Sequence, residues 1–157
     1  MDIMNHTGSV CGILLISHGN LAKGMLDSVR LLLGDQKDLA AYDLRPDQRV
    51  EDLTRQLRKE VLRYGEDNLL ILSDMQYGSP FNAAVALALE YPQIHHITGM
   101  NLSVVLAALT ARNEFFPGRD LDWICSRVIE ETSGSIVDVR RLLSEKLRAE
   151  VEVEEED

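Results

Sequence analysis

Residues 12–24 read GILLISHGNLAKG: four apolar residues, a serine, one histidine, a glycine, and then the opening of an amphipathic segment. Ile13, Leu14, Leu15 and Ile16 run unbroken rather than alternating, which is how a strand reads when helices cover both faces of a parallel sheet. Ser17 and His18 fall at the carboxyl end of that strand. Beyond them Leu21, Met25, Val29 and Leu32 recur at helical spacing, and Gly34 supplies a stop. The unit is strand, tight turn, helix. In open α/β sheets ligands bind at such turns, because the following helix points free N–H groups and a partial positive charge into the crevice. His18 is therefore expected beside an anion site, where an ordinary histidine, titrating near ~6.5, serves as nucleophile or proton carrier at neutral pH. Taken by itself the stretch has a second reading, in which the histidine only caps the turn.

The chain continues in the same alternation. LAAYDL at 39–44 reads as a second strand, and Val50, Leu53, Leu57, Val61 and Tyr64 fall on one face of a helix closed by Gly65. Residues 68–73 give a third buried strand, with Asp74 at its carboxyl end. In DMQYGSPFNAAVALALEY, Gly78 allows a sharp turn, Ser79 is expected as N-cap and Pro80 as the first helical residue, with the helix ending near Pro92. Residues 95–98 form a fourth strand. Leu102, Val105 and Leu109 then lie on a helix reaching about Arg112, and Leu121, Ile124, Cys125 and Val128 lie on another. IVDV at 136–139 is the candidate for a short fifth edge strand, followed by a last helix over residues 140–148.

Alternating strands and helices imply an α/β fold with a doubly wound, mainly parallel four-stranded sheet and helices on both faces. In the order 2-1-3-4 the first and third strands are neighbours and the chain reverses direction between them. The turns at that switch point carry His18 and Asp74. An aspartate that accepts a hydrogen bond from one imidazole N–H fixes the tautomer and leaves the other nitrogen bare, as a nucleophile requires. The helix starts after Gly19 and at Gly78 and Ser79 are then the expected anion-binding positions, with the Ser79 hydroxyl as an added donor.

At 157 residues and 45% hydrophobic, the chain suits a single domain, expected over residues 11–149. Of its 26 acids, six fall in the last eight residues, so the remainder has 20 acids against 16 bases. The formal charge of −10 thus belongs largely to an acidic terminus, and residues 150–157, like 1–10, are expected to be disordered. No broad basic face marks a nucleic-acid partner. No apolar stretch approaches a membrane span of ~20 residues, no signal peptide is legible, and two cysteines without CxxC spacing suit a reducing, cytoplasmic location.

Other chemistries fit less well. GNLAKG has Met25 and Leu26 where a phosphate loop needs lysine and Ser/Thr. There is no GxSxG, and Ser17 points to the face opposite His18. His95 and His96 diverge across a strand, so no metal site is expected.

LLISHGNLAKGMLDS, DMQYGSPFNAA and TGMNLSVVLAAL together resemble the IIA component of the mannose family of the phosphoenolpyruvate-dependent sugar phosphotransferase system, across roughly residues 12–112. The resemblance implies a phosphotransferase that acts as a phosphocarrier. His18 would accept a phosphoryl group from HPr and pass it to a IIB component, Asp74 would orient the imidazole, and Ser79 would contact the phosphoryl group. It implies no cofactor or metal, and a membrane only indirectly, through the IIC and IID permease. Family members are homodimers, some of which exchange a C-terminal strand, for which residues 136–139 are the candidate. The sequence departs from the family pattern at Tyr77, where a second glycine is common, and at Ser103, where proline is frequent. A regulatory phosphoacceptor that feeds no permease and a IIA-like subunit of dihydroxyacetone kinase remain as alternatives, GSPFN disfavouring the second. A tetrapyrrole chelatase also carries a strand-end SHG but needs a second ligating histidine, and only His6, His95 and His96 remain.

Overall fold

The computed structural model describes residues 10–156, with side chains through Val153. The residues before Val10, expected to be disordered, lie outside the described part. The sheet has four parallel strands, β1 (Gly12–His18), β2 (Leu39–Leu44), β3 (Leu69–Ser73) and β4 (His95–Thr98), in the order β2-β1-β3-β4. Between and after them come helices α1 (Leu21–Leu33), α2 (Val50–Tyr64), α3 (Ser79–Glu90), α4 (Leu102–Phe115), α5 (Leu121–Thr132) and α6 (Val139–Glu156). A short 3₁₀ turn, Glu66–Asn68, leads into β3 and shortens that strand by one residue from the sequence expectation.

The unbroken apolar runs divide between two faces of the sheet. Ile13, Leu15, Leu70 and Leu72 pack with Ala22 and Val29 of α1, with Val104, Val105, Ala108 and Leu109 of α4, and with Leu121, Ile124 and Val128 of α5. Leu14, Ile16, Leu69 and Ile71 face the other way, onto Leu53, Leu57 and Val61 of α2 and Ala83, Ala84 and Leu87 of α3. Every side chain from Ile13 to Ile16 is at most 1% exposed, and each such burial stabilises by about 1.5–3 kcal/mol. Asn101 caps α4 by accepting from the Val104 N–H (3.0 Å), and Asp120 caps α5 by accepting from the Trp123 N–H (2.9 Å).

Arg112, expected only to mark the end of α4, is 8% exposed and ties the far end of the sheet together. Its guanidinium donates to the carbonyls of Lys37 (2.9 Å), Asp38 (2.9 Å) and Cys11 (3.3 Å), which belong to the chain entering β2 and β1. Helix α4 itself runs three residues beyond Arg112, to Phe115.

The fifth strand expected at 136–139 does not form. Asp138 instead starts a helix: its carboxylate accepts from the N–H groups of Arg140 (3.1 Å) and Arg141 (3.4 Å), and its carbonyl accepts from Leu142 N–H (3.0 Å). An edge strand needs a neighbour to pair with, whereas an N-cap is satisfied locally. The resulting α6 begins at Val139 and covers residues 150–156, part of the stretch expected to be loose. Every described side chain from 133 to 153 is exposed.

Candidate functional site

Register carries the two candidate residues to one end of the sheet. Ile16 pairs with Ser73 across β1 and β3, so the residues that follow, His18 and Asp74, emerge side by side where the strand order reverses. One oxygen of Asp74, Oδ2, lies 2.7 Å from His18 Nδ1 and also accepts the His18 backbone N–H at 2.9 Å. Its other oxygen, Oδ1, accepts the Met75 N–H at 2.8 Å. Burial raises the Asp74 carboxyl, but the hydrogen bonds from the His18 backbone, the His18 ring and the Met75 backbone outweigh it and hold the group below its ordinary value. The carboxylate is ionised at neutral pH, so Nδ1 must carry the proton of this contact. In the neutral ring Nε2 then keeps its lone pair. The Asp74 side chain is 9% exposed and that of His18 is 46% exposed, so the orienting group is covered and the ring is open.

Gly78 explains the placement of the ring. A Cβ at that position would stand 2.5 Å from His18 Cε1 and 3.2 Å from Nε2. The imidazole lies against bare backbone, at a distance only glycine permits. The turn at Gly19 has φ +55, in the left-handed region, and its N–H donates to the Leu44 carbonyl at 3.2 Å, tying it to the end of β2. Helix α3 begins one residue earlier than expected: Gly78, extended at φ −82, is its N-cap, so Ser79 is the first helical residue and not the cap. Pro80 occupies the second position. The Gly78 carbonyl accepts the Asn82 N–H (2.9 Å), which draws the chain into the helix without a side-chain cap.

The fold thus gathers His18, Asp74, Gly19, Gly78 and Ser79 between the starts of α1 and α3. It also adds residues that spacing could not single out. Ser17, fully buried behind His18, accepts the Ala22 N–H at 2.7 Å and donates to Asp43 Oδ1 at 2.9 Å. The first turn of α1 is thereby hooked to β2. The second oxygen of Asp43 is buried without a hydrogen-bond partner, with Lys23 Nζ 3.9 Å away. Asp43 and Ser17 are 26 residues apart, and only the parallel register, in which they are paired, brings them together. Tyr77 has φ 66, a costly conformation for a bulky residue, and its exposed ring meets Phe81 edge-on at 5.7 Å. His95 and His96 stay on β4 away from His18. His95 is bound to Asp122 (2.8 Å), and His96 to Ser73 Oγ (2.8 Å). Among the described residues no three His, Cys, Asp or Glu side chains cluster as a metal site, and no helix is long and apolar enough to cross a membrane.

The family model described as "PTS system fructose IIA component" matches residues 12–122. The chain is 38% identical over 90 residues to the sorbose-specific EIIA component of Klebsiella pneumoniae, a match spanning 57% of this chain and 66% of that protein. It is 28% identical over 103 residues to the mannose-specific EIIAB component of Escherichia coli K12, spanning 65% of this chain and 32% of that longer protein. Among solved structures it is similar to phosphotransferase system component EIIA from Streptococcus agalactiae, with 29% identity and a TM-score of 0.76 over 84% of this chain and 99% of that one.

Proposed function

The chain belongs to the mannose-type IIA family of the sugar phosphotransferase system, and from that premise we propose that it is a cytoplasmic phosphocarrier in which His18 Nε2 accepts a phosphoryl group from phosphorylated HPr and hands it to a IIB component. The observation that carries this reading is the 2.7 Å contact between His18 Nδ1 and an ionised, covered Asp74, which reserves Nε2 of a half-exposed ring for an incoming group.

The transfer balances without a cofactor. The Nε2 lone pair attacks the phosphorus of the donor phosphohistidine, the donor's P–N bond breaks, and its electron pair returns to the donor imidazole. The proton on His18 Nδ1 stays in place. The phosphorylated ring is then cationic, and Asp74 stabilises it, because an opposite charge within hydrogen-bonding distance favours the charged form. The Ser79 hydroxyl and backbone N–H groups near Gly19 and Gly78, at the positive ends of α1 and α3, hold the phosphoryl oxygens. Transfer to IIB is the same exchange in reverse sense, with the acceptor on IIB attacking the phosphorus on His18. In this account residues 11–149 work as one domain, and the membrane is reached only through the permease that IIB serves.

Incubation with enzyme I, HPr and phosphoenolpyruvate is expected to add one phosphoryl mass that is lost in acid and retained in base, as a phosphoramidate is. The His18→Ala variant should gain none. Phosphorylation that persists in His18→Ala, or an adduct stable to acid, would overturn the proposal.

A further inference from the structure

We infer that His96 is a positioning residue for the phosphoryl acceptor, pinning both ends of the segment 73–81 that carries Asp74, Gly78 and Ser79. The inference rests on the phosphocarrier reading of His18 and adds to it a residue that acts through others.

Alternation along β4 sends its two adjacent histidines to opposite faces of the sheet. His95 turns to α5, where its Nε2 lies 2.8 Å from Asp122 Oδ1. His96 turns toward α3 and makes two contacts there. Its Nε2 lies 2.8 Å from Ser73 Oγ. The Ser73 hydroxyl donates to Thr98 Oγ1 at 2.9 Å, so it accepts the bond from the His96 N–H. The same ring packs against Phe81, with centroids 5.3 Å apart and planes at 45°. Burial pushes the ring's pKa down to about 4, so at neutral pH it is uncharged and carries a single N–H.

Ser73 ends β3 and precedes Asp74, and Phe81 lies in the first turn of α3, just beyond Ser79. One side chain therefore holds the segment where it leaves the sheet and where it enters the helix. A backbone tie adds to the first hold, since the Ser73 carbonyl accepts the Met100 N–H at 2.9 Å. Between the two lies Tyr77, at φ 66, a conformation that a bulky residue keeps only where its surroundings over-determine it. Its ring meets Phe81 edge-on at 5.7 Å, so the contacts run from Tyr77 through Phe81 and His96 to Ser73 and close around the segment. With either end released, the strain at Tyr77 relaxes by moving its neighbours. Displacement of Asp74 lengthens its 2.7 Å contact with His18 Nδ1, and displacement of Gly78 removes the backbone on which the imidazole lies. Both misdirect Nε2.

Two full-length variants separate the holds. His96→Phe keeps a ring beside Phe81 and removes the donor to Ser73; His96→Gln keeps an amide donor and removes the ring. In unphosphorylated protein labelled with nitrogen-15 in its histidines, each should shift the His18 Nδ1 resonance, which reports the contact with Asp74. Each should also slow phosphorylation at saturating HPr by about tenfold, less than the ~10²-fold of a full 1 Å misplacement, with KM for HPr unchanged. Ser73→Ala should lose as much as His96→Phe, and the two together no more than either, because both break one contact. Variants that melt lower but keep the wild-type His18 resonance and saturating rate would make His96 a packing residue and overturn the inference. A change confined to KM, or additive losses from Ser73→Ala and His96→Phe, would overturn it as well. If the wild type accepts no phosphoryl group, the phosphocarrier reading falls, and the His18 resonance still decides whether His96 sets the Asp74 contact.

Discussion

His18 and Asp74 are 56 residues apart, and their 2.7 Å contact depends on a third position that offers no functional group at all. Gly78 gives the imidazole somewhere to lie. Gly78→Ala would be unstrained in backbone, at φ −82, yet its Cβ would collide with His18 Cε1. The ring must then shift, and because misplacement by about 1 Å costs on the order of 10²-fold in rate, phosphoryl acceptance should fall by that order while the melting temperature changes little. Rapid-quench phosphorylation by HPr beside a thermal melt checks both halves of the statement. Asp74→Asn should also fold, and should slow transfer by about 10²-fold, the scale of a lost acid-base or orienting contact; unchanged kinetics would make Asp74 a bystander. The sequence made His18 and Asp74 legible because both terminate apolar runs at neighbouring strand ends. Gly78 was legible as a turn residue and an anion-binding position, not as the surface on which the ring rests. Its close approach to the ring follows from three-dimensional packing, which no local pattern encodes.

Each strand and helix that buries an apolar stripe was recognisable from its period, from β1 through α5, since the pattern and the burial have the same cause. What escaped were features satisfied by polar atoms. Ser17 was read as facing away from His18, as it does, but its hook between Asp43 and the start of α1 depends on the pairing of β1 with β2. Residues 136–139 have the apolar composition of a strand, and the Asp138 N-cap turns them into the start of a helix. Arg112 closes the α4 pattern in sequence, while in the fold its guanidinium satisfies three carbonyls from two other segments. Arg112→Leu keeps the apolar stem and leaves those carbonyls without their donor. Hydrogen bonds to charged groups contribute about 1.5–3 kcal/mol each, net of exchange with water, and water reaching the freed carbonyls offsets part of the loss, so a fall on the order of 3 kcal/mol is expected in urea unfolding, with the phosphorylation rate of the remaining folded protein unaltered.

Across the whole molecule, pH also acts through a group on β4, His96, which is bound to Ser73 and packs against Phe81. Burial lowers His96 from 6.5 to about 4, so in the folded protein it stays neutral while the unfolded chain binds a proton. Stability from this group is complete above pH 6.5 and is lost as pH falls from 6.5 toward 4, with a slope approaching about 1.4 kcal/mol per pH unit. Asp74 acts in the same sense lower down: its depressed carboxyl stabilises the fold above the ordinary carboxylate range, and that contribution is lost as pH falls through its folded value. The variant His96→Gln should flatten the urea-midpoint profile between pH 6.5 and 4 and leave the steeper fall below it. The central claim concerns a single atom, since a proton committed to Asp74 at Nδ1 leaves only Nε2 to carry the phosphoryl group. Nitrogen-15 and phosphorus-31 NMR of the phosphorylated protein, labelled in its histidines, reads that atom directly. A phosphorus coupling to Nε2 of His18, with Nδ1 still protonated, is the predicted result; a phosphoryl group on Nδ1, or on any other histidine, would contradict the account.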